Sequence, residues 1–169
     1  MYSTKADLTD VMRRLERLED VRAIEQVKYR YAAHCDNRYD PDGIAGLFVE
    51  DGRWVVDGEG GAMTGHEEIK AHFRALPEKI IWAMHFVTAP RVDVAADGRT
   101  ATGRFYLLCL CTIKNDRPDP SEKDAVILTI NYTDEFIKRD RSWYFQELRG
   151  RTHQVSNWDQ GWAQQPFRD

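Results

Sequence analysis

Three cysteines in 169 residues are too few, and too odd a number, for a disulfide framework. Two of them, Cys109 and Cys111, fall inside an apolar run, where a thiol packs as a small hydrophobe. Their Cys-x-Cys spacing has no second pair elsewhere, so no metal site is expected and a reducing cytoplasm is the default setting. No run approaches the ~20 apolar residues that a membrane span requires. The opening MYSTKADLTDVMRRLERLED is polar and helical, without the apolar centre of a secretory leader. Basic residues are outnumbered as well: 24 Lys and Arg face 28 Asp and Glu, for a formal charge of −4. That balance, with both signs interspersed, excludes the clustered basic face that nucleic acid calls for. His34, His66, His72 and His153 show no metal-ligand spacing and read as surface or structural residues. Gly58 to Gly61 lacks the strand-to-helix setting of a phosphate loop. There is no internal repeat and no low-complexity segment.

What is present fits one domain spanning residues 1–169, with 1–19 as an N-terminal helical extension and 156–169 as a C-terminal tail. Leu8, Val11, Leu15 and Leu18 recur at helical spacing, and Thr4 with Asp7 resembles a capping box. A second series, Val21, Ile24, Val27 and Tyr31, follows with Asp20 as a plausible N-cap. One long helix with a break, or two in tandem, is predicted through about Asp36. The charge-rich early part is expected to need a partner subunit, since short isolated helices are marginal in water. Pro41 to Phe48 reads as a short helix with Pro in its first turn. Strand signals begin at Arg53 to Val56 and stop at the Gly58 to Gly61 turn. Gly65 to Leu76 is helical, with Pro77 ending it.

The remainder is β. One strand runs from Ile80 to Val94 with a bend at Pro90, and a hairpin at Ala96 to Arg99 leads into Thr100 to Ile113. A polar loop, Lys114 to Asp124, separates these from two last strands, Ala125 to Lys138 and Ser142 to Val155. Helices first and long antiparallel strands afterwards is the α+β pattern. A long sheet must twist, and helices on its concave face leave a cone with an open mouth, a natural pocket for an apolar ligand.

Two residues stand out chemically. Asp36 closes the amphipathic helix, and His85 lies in the apolar strand segment IIWAMHFV. A carboxylate that orients an imidazole is the minimal equipment for abstracting a proton without metal or cofactor. Each has a plainer reading: a lone strand histidine is usually a satisfied core residue, and an Asp in CDNRYD commonly caps a helix or starts a turn. Tyr31 continues the helical stripe, so packing alone explains it. If His85 faces inward, Ala83 and Val87 do too, by strand alternation.

The order of YRYAAHCDNRYDPDGIAGLFVEDGRW, GHEEIKAHF, MHF, ATGRFYL and YTDEFIKRDRSW resembles the SnoaL-like branch of the nuclear-transport-factor-2-like superfamily, from about Val21 to Thr152. The resemblance implies a cone-shaped α+β barrel, a curved mixed or antiparallel sheet with the N-terminal helices on its concave face. Within that superfamily the chain looks most like the cofactor-free lyases bile-acid 7α-dehydratase, scytalone dehydratase and hexachlorocyclohexane dehydrochlorinase. Their helix-end Asp and strand His match Asp36 and His85, and the bile-acid enzyme's pocket tyrosine matches Tyr31. That enzyme's second catalytic Asp falls on Cys109, so its full mechanism does not carry over. The dehydrochlorinase's catalytic Arg falls on Leu148; Arg149 and Arg151 lie beside it but point to the other face unless a bulge intervenes. By the same resemblance Leu107, Cys109 and Tyr132 line the cavity, with Trp54 toward its mouth and Arg149 as a further substrate contact.

The expected activity is a cofactor-independent lyase, dehydratase-like, acting on a hydrophobic ring-containing molecule. Catalysis falls to Asp36, His85 and Tyr31, with no metal. Two rivals stand beside it. An isomerase of the ketosteroid type would return the proton and keep the product mass unchanged. A non-catalytic ligand-binding module, or a protein like the small subunit of ring-hydroxylating dioxygenases, would not need Asp36. Related lyases are commonly trimers, so the resemblance implies a homotrimer, with a dimer next; the charged N-terminal helix and the aromatic tail are the candidate contacts, and the tail residues Trp158, Trp162 and Phe167 are expected to bury against the chain or a neighbour.

Overall fold

The computed structural model describes residues 4–115 and 122–168. Helix α1 (Thr4–Asp36) is followed by the short α2 (Pro41–Ala45), strand β1 (Phe48–Val56), β2 (Gly61–Thr64) and α3 (Gly65–Lys79). Four long strands complete the sheet: β3 (Ile80–Val94), β4 (Thr100–Lys114), β5 (Lys123–Arg139) and β6 (Ser142–Asn157). A single turn of helix, α4 (Gly161–Gln164), lies in the tail. The architecture is the α+β one anticipated from the sequence.

The six strands form one open sheet in the order β2-β1-β6-β5-β4-β3. Neighbours are antiparallel except β1 and β6, which run parallel. Register shifts fall between Phe48 and Arg53, Thr88 and Arg91, Thr129 and Ile130, and Glu135 and Phe136. Bulges bend a strand and increase its twist, and this series curls the sheet around the helices. Gly52 sits in the first of them, where a Cβ would come within 2.9 Å of the Phe48 side chain and of the Val49 carbonyl. Ala89, at φ 50, marks the bend expected near Pro90.

Strand alternation builds the core. Phe105, Leu107, Cys109, Cys111 and Ile113 of β4 are buried on the concave side, as are Ile130, Tyr132 and Phe136 of β5. Against them α1 lays Ile24, Val27, Tyr31 and Cys35, a stripe at spacing of three and four. The opposite face of β3 and β4 leaves Trp82, Met84, Phe86 and Tyr106 exposed.

Several expectations need correction. Helix α1 has no break, and Asp20 is not an N-cap: its carboxylate accepts from Trp143 Nε1 at 2.8 Å and from Lys138 Nζ at 2.6 Å. Asp20 is thus the point at which the helix is fastened to the β5–β6 hairpin. Helix α3 continues to Lys79 with Pro77 inside its last turn, where a missing N–H removes only one bond near a frayed end. The Gly58 to Gly61 turn leads into a strand, β2, that was too short to read. Of the expected loop from Lys114 to Asp124, residues 116–121 lie outside the described residues. The tail does not bury its aromatics against its own chain: Trp158, Trp162 and Phe167 are 64%, 59% and 57% exposed.

Candidate active site

Helix α1 ends in a run of unusual backbone. Arg38 and Tyr39 both take positive φ, 55° and 57°, so the chain reverses within three residues of Asp36. Capping of the next helix falls to Asp40: its Oδ1 accepts from Gly43 N at 3.0 Å, and its Oδ2 lies 3.0 Å from His34 Nδ1. The local turn work in CDNRYD is therefore done by Asp40, and Asp36 is left to reach across to β3.

Strand β3 is an edge of the sheet, with β4 on one side only. The backbone N–H of His85 points away from β4 and donates to Asp36 Oδ1 at 2.9 Å. The same oxygen lies 2.7 Å from His85 Nδ1. An ionised carboxylate can only accept, so Nδ1 carries a proton, and in the neutral ring Nε2 keeps its lone pair. One oxygen thus fixes the imidazole twice, through the ring and through the backbone. The His85 side chain is 9% exposed and that of Asp36 37%, which puts the pair at a rim and not in a sealed pocket.

Around the pair the wall is apolar and neutral. His85 pairs with Cys109, Ala83 with Cys111 and Val87 with Leu107, so all six share the inward face. Hydrogen bonding from Cys111 and burial push the Cys109 thiol up, so it stays protonated beside the imidazole. Tyr39, absent from the sequence reading, closes the other side: its ring meets His85 edge-on at 5.9 Å and stacks with Phe73 at 6.2 Å. Its phenol is held up by burial and remains neutral. The signal available was Tyr39's place directly before Asp40 in a turn-rich run; nothing in the spacing showed that a positive φ would fold its ring back onto His85.

The other candidate residues separate into two groups. Tyr31, Trp54, Leu107, Cys109 and Tyr132 are all buried on the concave side. Trp54 Nε1 donates to the Tyr31 hydroxyl at 2.8 Å, and burial holds the Tyr31 phenol up. Contact from Tyr31 to the imidazole runs through Phe73 and then Tyr39. Arg149 is not brought to the concave face. Leu148 takes the inward position, and Arg149 lies on the outer face, 46% exposed, with Nη2 2.8 Å from Glu147. No bulge falls at this point of β6 to reverse the alternation.

One buried pair escaped the sequence reading altogether. Lys28 and Asp134, both 0% exposed, stand 2.9 Å apart inside the cone. The ammonium also lies 3.2 Å from the centroid of the Tyr132 ring, off the line of a good hydrogen bond to the carboxylate. Burial lowers the Lys28 ammonium and raises the Asp134 carboxyl to about 6. Among the described residues, no group of three or more His, Cys, Asp or Glu is arranged to hold a metal ion. None of the described helices is long and apolar enough to cross a membrane.

The profile of the SnoaL-like domain matches residues 16–149. Among solved structures, a protein assigned as a scytalone dehydratase from Novosphingobium aromaticivorans is 24% identical, covering 85% of this chain and 90% of its own at TM-score 0.72. The hexachlorocyclohexane dehydrochlorinase LinA-type3 from Novosphingobium barchaimii is 22% identical, covering 85% and 92% at TM-score 0.74. A protein assigned as an aromatic ring hydroxylase from Novosphingobium aromaticivorans is 22% identical, covering 83% and 94% at TM-score 0.72. At these identities the likeness establishes a shared fold. No curated protein sequence matches the chain.

Proposed function

The chain belongs to the SnoaL-like family, and within it we propose a cofactor-independent lyase that removes water or a comparable small fragment from a hydrophobic, ring-containing molecule. The observation that carries this reading is the 2.7 Å contact between His85 Nδ1 and Asp36 Oδ1, which leaves Nε2 as a base facing apolar side chains. In a dehydration, Nε2 takes a proton from the carbon beside the leaving group. The C–H electrons form the double bond, the C–O bond breaks, and the departing oxygen takes a proton from a phenol to leave as water. Asp36 stabilises the imidazolium formed on the way. Proton return from His85 to the phenolate, through solvent, closes the cycle.

Two phenols are candidates for the acid. Tyr31 matches the pocket tyrosine of the bile-acid dehydratase, and its oxygen accepts from Trp54 Nε1 at 2.8 Å, which leaves its own proton to give. Tyr39 is the one in contact with His85. Comparing Tyr31→Phe with Tyr39→Phe assigns the role, since the acid's loss lowers kcat for a poor leaving group far more than for a good one. The decisive experiment is turnover of hydroxylated ring compounds by the wild type, His85→Ala and Asp36→Asn. Losses of ~10²–10⁴-fold in both variants, in folded protein, support the mechanism. Near-normal turnover in both removes it, and a product of unchanged mass makes the enzyme an isomerase.

A ligand-binding module is the second reading, and the 37% exposure of the Asp36 side chain favours it, because solvent weakens the hold of a carboxylate on the imidazole it orients. Under that reading Asp36→Asn leaves ligand affinity intact and no product forms. The chain is further proposed to assemble as a homotrimer; light scattering that returns the mass of one chain contradicts this.

A further inference from the structure

We infer that the segment Leu8–Leu18 of α1 is a self-association element, a parallel coiled coil formed with the same segment of another copy of this chain. Asp20, buried and tied to Lys138 and Trp143, is where α1 becomes fixed to the body. From Leu8 to Glu19 every residue is exposed, although the helix is continuous from Thr4. The apolar residues there are not scattered. Leu8, Val11, Leu15 and Leu18 follow steps of three, four and three, the seam of two heptads, and are 62%, 53%, 47% and 68% exposed. The next two seam positions are Arg22 and Glu25, which pair with each other at 3.3 Å. The seam therefore stops where the helix meets its own domain, and from there the apolar stripe turns to the sheet.

Charge supplies the occupant and its direction. With Leu8 and Leu15 at the first seam position, Arg14 and Glu19 flank the seam on opposite sides, five residues apart. In a parallel assembly Arg14 of one copy lies opposite Glu19 of its neighbour, an attractive contact repeated by symmetry at each seam. Asp10 and Arg13 pair at 2.6 Å on the outer face, away from the seam. Two heptads are too short to associate as free peptides. Here the helix is already nucleated by the anchored half from Asp20 to Asp36, so only side-chain association remains to be driven.

The inference rests on the self-association proposed above, and light scattering of the full chain over a range of concentrations separates the two. The wild type is expected to give a multiple of the chain mass. Leu8→Glu combined with Leu15→Glu should raise the concentration of half-association by about a hundredfold or more, because each copy then brings two charges into the seam. Both side chains are exposed, at 62% and 47%, and lie N-terminal to the anchor at Asp20, so the circular dichroism and melting of the variant should match the wild type. Arg14→Glu alone should weaken association several-fold, and adding Glu19→Arg should recover it. Leu8→Cys should form a disulfide between copies on mild oxidation, since a parallel seam places the two positions side by side while an antiparallel one separates them by about 15 Å. A monomeric wild type overturns both the assembly and this interface. An oligomer that withstands the double glutamate variant overturns the coiled coil alone and points to the exposed face of β3 and β4. Failure of the charge swap to restore association, or of the Leu8→Cys variant to cross-link, overturns the parallel arrangement.

Discussion

Helix α1 carries two pairs of opposite acid–base character, eight residues apart, which is about 12 Å along its axis. At its end Asp36 meets His85 at 2.7 Å; two turns earlier Lys28 meets Asp134 at 2.9 Å. The contact lengths are nearly the same and the surroundings are opposite. Lys28 and Asp134 are fully sealed among Tyr31, Phe105, Tyr132 and Phe145, while Asp36 remains 37% open to solvent. A sealed pair has no route to a substrate and answers to the folding equilibrium. A pair at the rim, with one imidazole nitrogen unused, is equipped to answer to a ligand. Distance alone would not distinguish them; burial does.

The sharpest way to test that division is to break each pair and ask which measurement moves. His85→Ala is expected to cut turnover by ~10²–10⁴-fold while leaving the melting temperature close to that of the wild type. Asp134→Ala should do the reverse. It leaves an ammonium buried without its counter-charge, which costs about 3–5 kcal/mol of stability in denaturant titrations. The fraction still folded should keep its turnover per molecule. If Asp134→Ala instead lost turnover with unchanged stability, the inner pair would belong to the chemistry and the comparison would fail.

Acidity sharpens the same contrast. The unfolded chain releases the Asp134 proton near the ordinary carboxylate value of 3.8, whereas burial makes the folded chain hold it to about 6. Between roughly pH 4 and 6 the native state therefore binds more protons, and this carboxyl's contribution to stability falls as pH rises. Lys28 acts oppositely at higher pH. Its folded value is lowered, so the unfolded lysine binds more protons as pH approaches 10.5 and stability there rises with pH. Replacing both partners, Lys28→Met with Asp134→Leu, should remove both slopes and leave stability equal to the wild type or higher. Urea midpoints for the two proteins across this range check it; parallel curves would show that the pair does not titrate as its burial implies.

How legible these pairs were differs for physical reasons. The fold was readable because strand alternation and helical spacing record burial directly, as the inward series of β4 and the Ile24, Val27, Tyr31 stripe show. The outer pair was readable because Asp36 ends a periodic helix and His85 sits in an apolar strand. The inner pair was overlooked although its signal was present: Asp134 falls between Tyr132 and Phe136 in the inward alternation of β5, and Lys28 follows Val27 in the stripe. A charge at an inward position looks like an exception until its partner, 106 places further along the chain, is brought beside it. Arg149 fails for the complementary reason, since alternation puts its side chain outward and no bulge reverses it. Tyr39 depends on a positive φ in the turn, which residue spacing does not encode.

The smallest effect expected lies between the two pairs. Tyr31 stands on α1 between Lys28 and Asp36, and its oxygen accepts from Trp54 Nε1 at 2.8 Å. Trp54→Phe keeps most of the ring and deletes that donor, which should cost about 1 kcal/mol of stability for a buried neutral hydrogen bond. Its effect on turnover discriminates between the two phenols. A hydrogen bond donated into the Tyr31 oxygen stabilises the phenolate and makes its proton easier to give. If Tyr31 is the acid, losing that bond should lower kcat several-fold with KM nearly unchanged, and the drop should vanish in a Tyr31→Phe background. If Tyr39 is the acid, Trp54→Phe should move stability alone, and the bond between Trp54 and Tyr31 then belongs with the inner, sealed half of the helix.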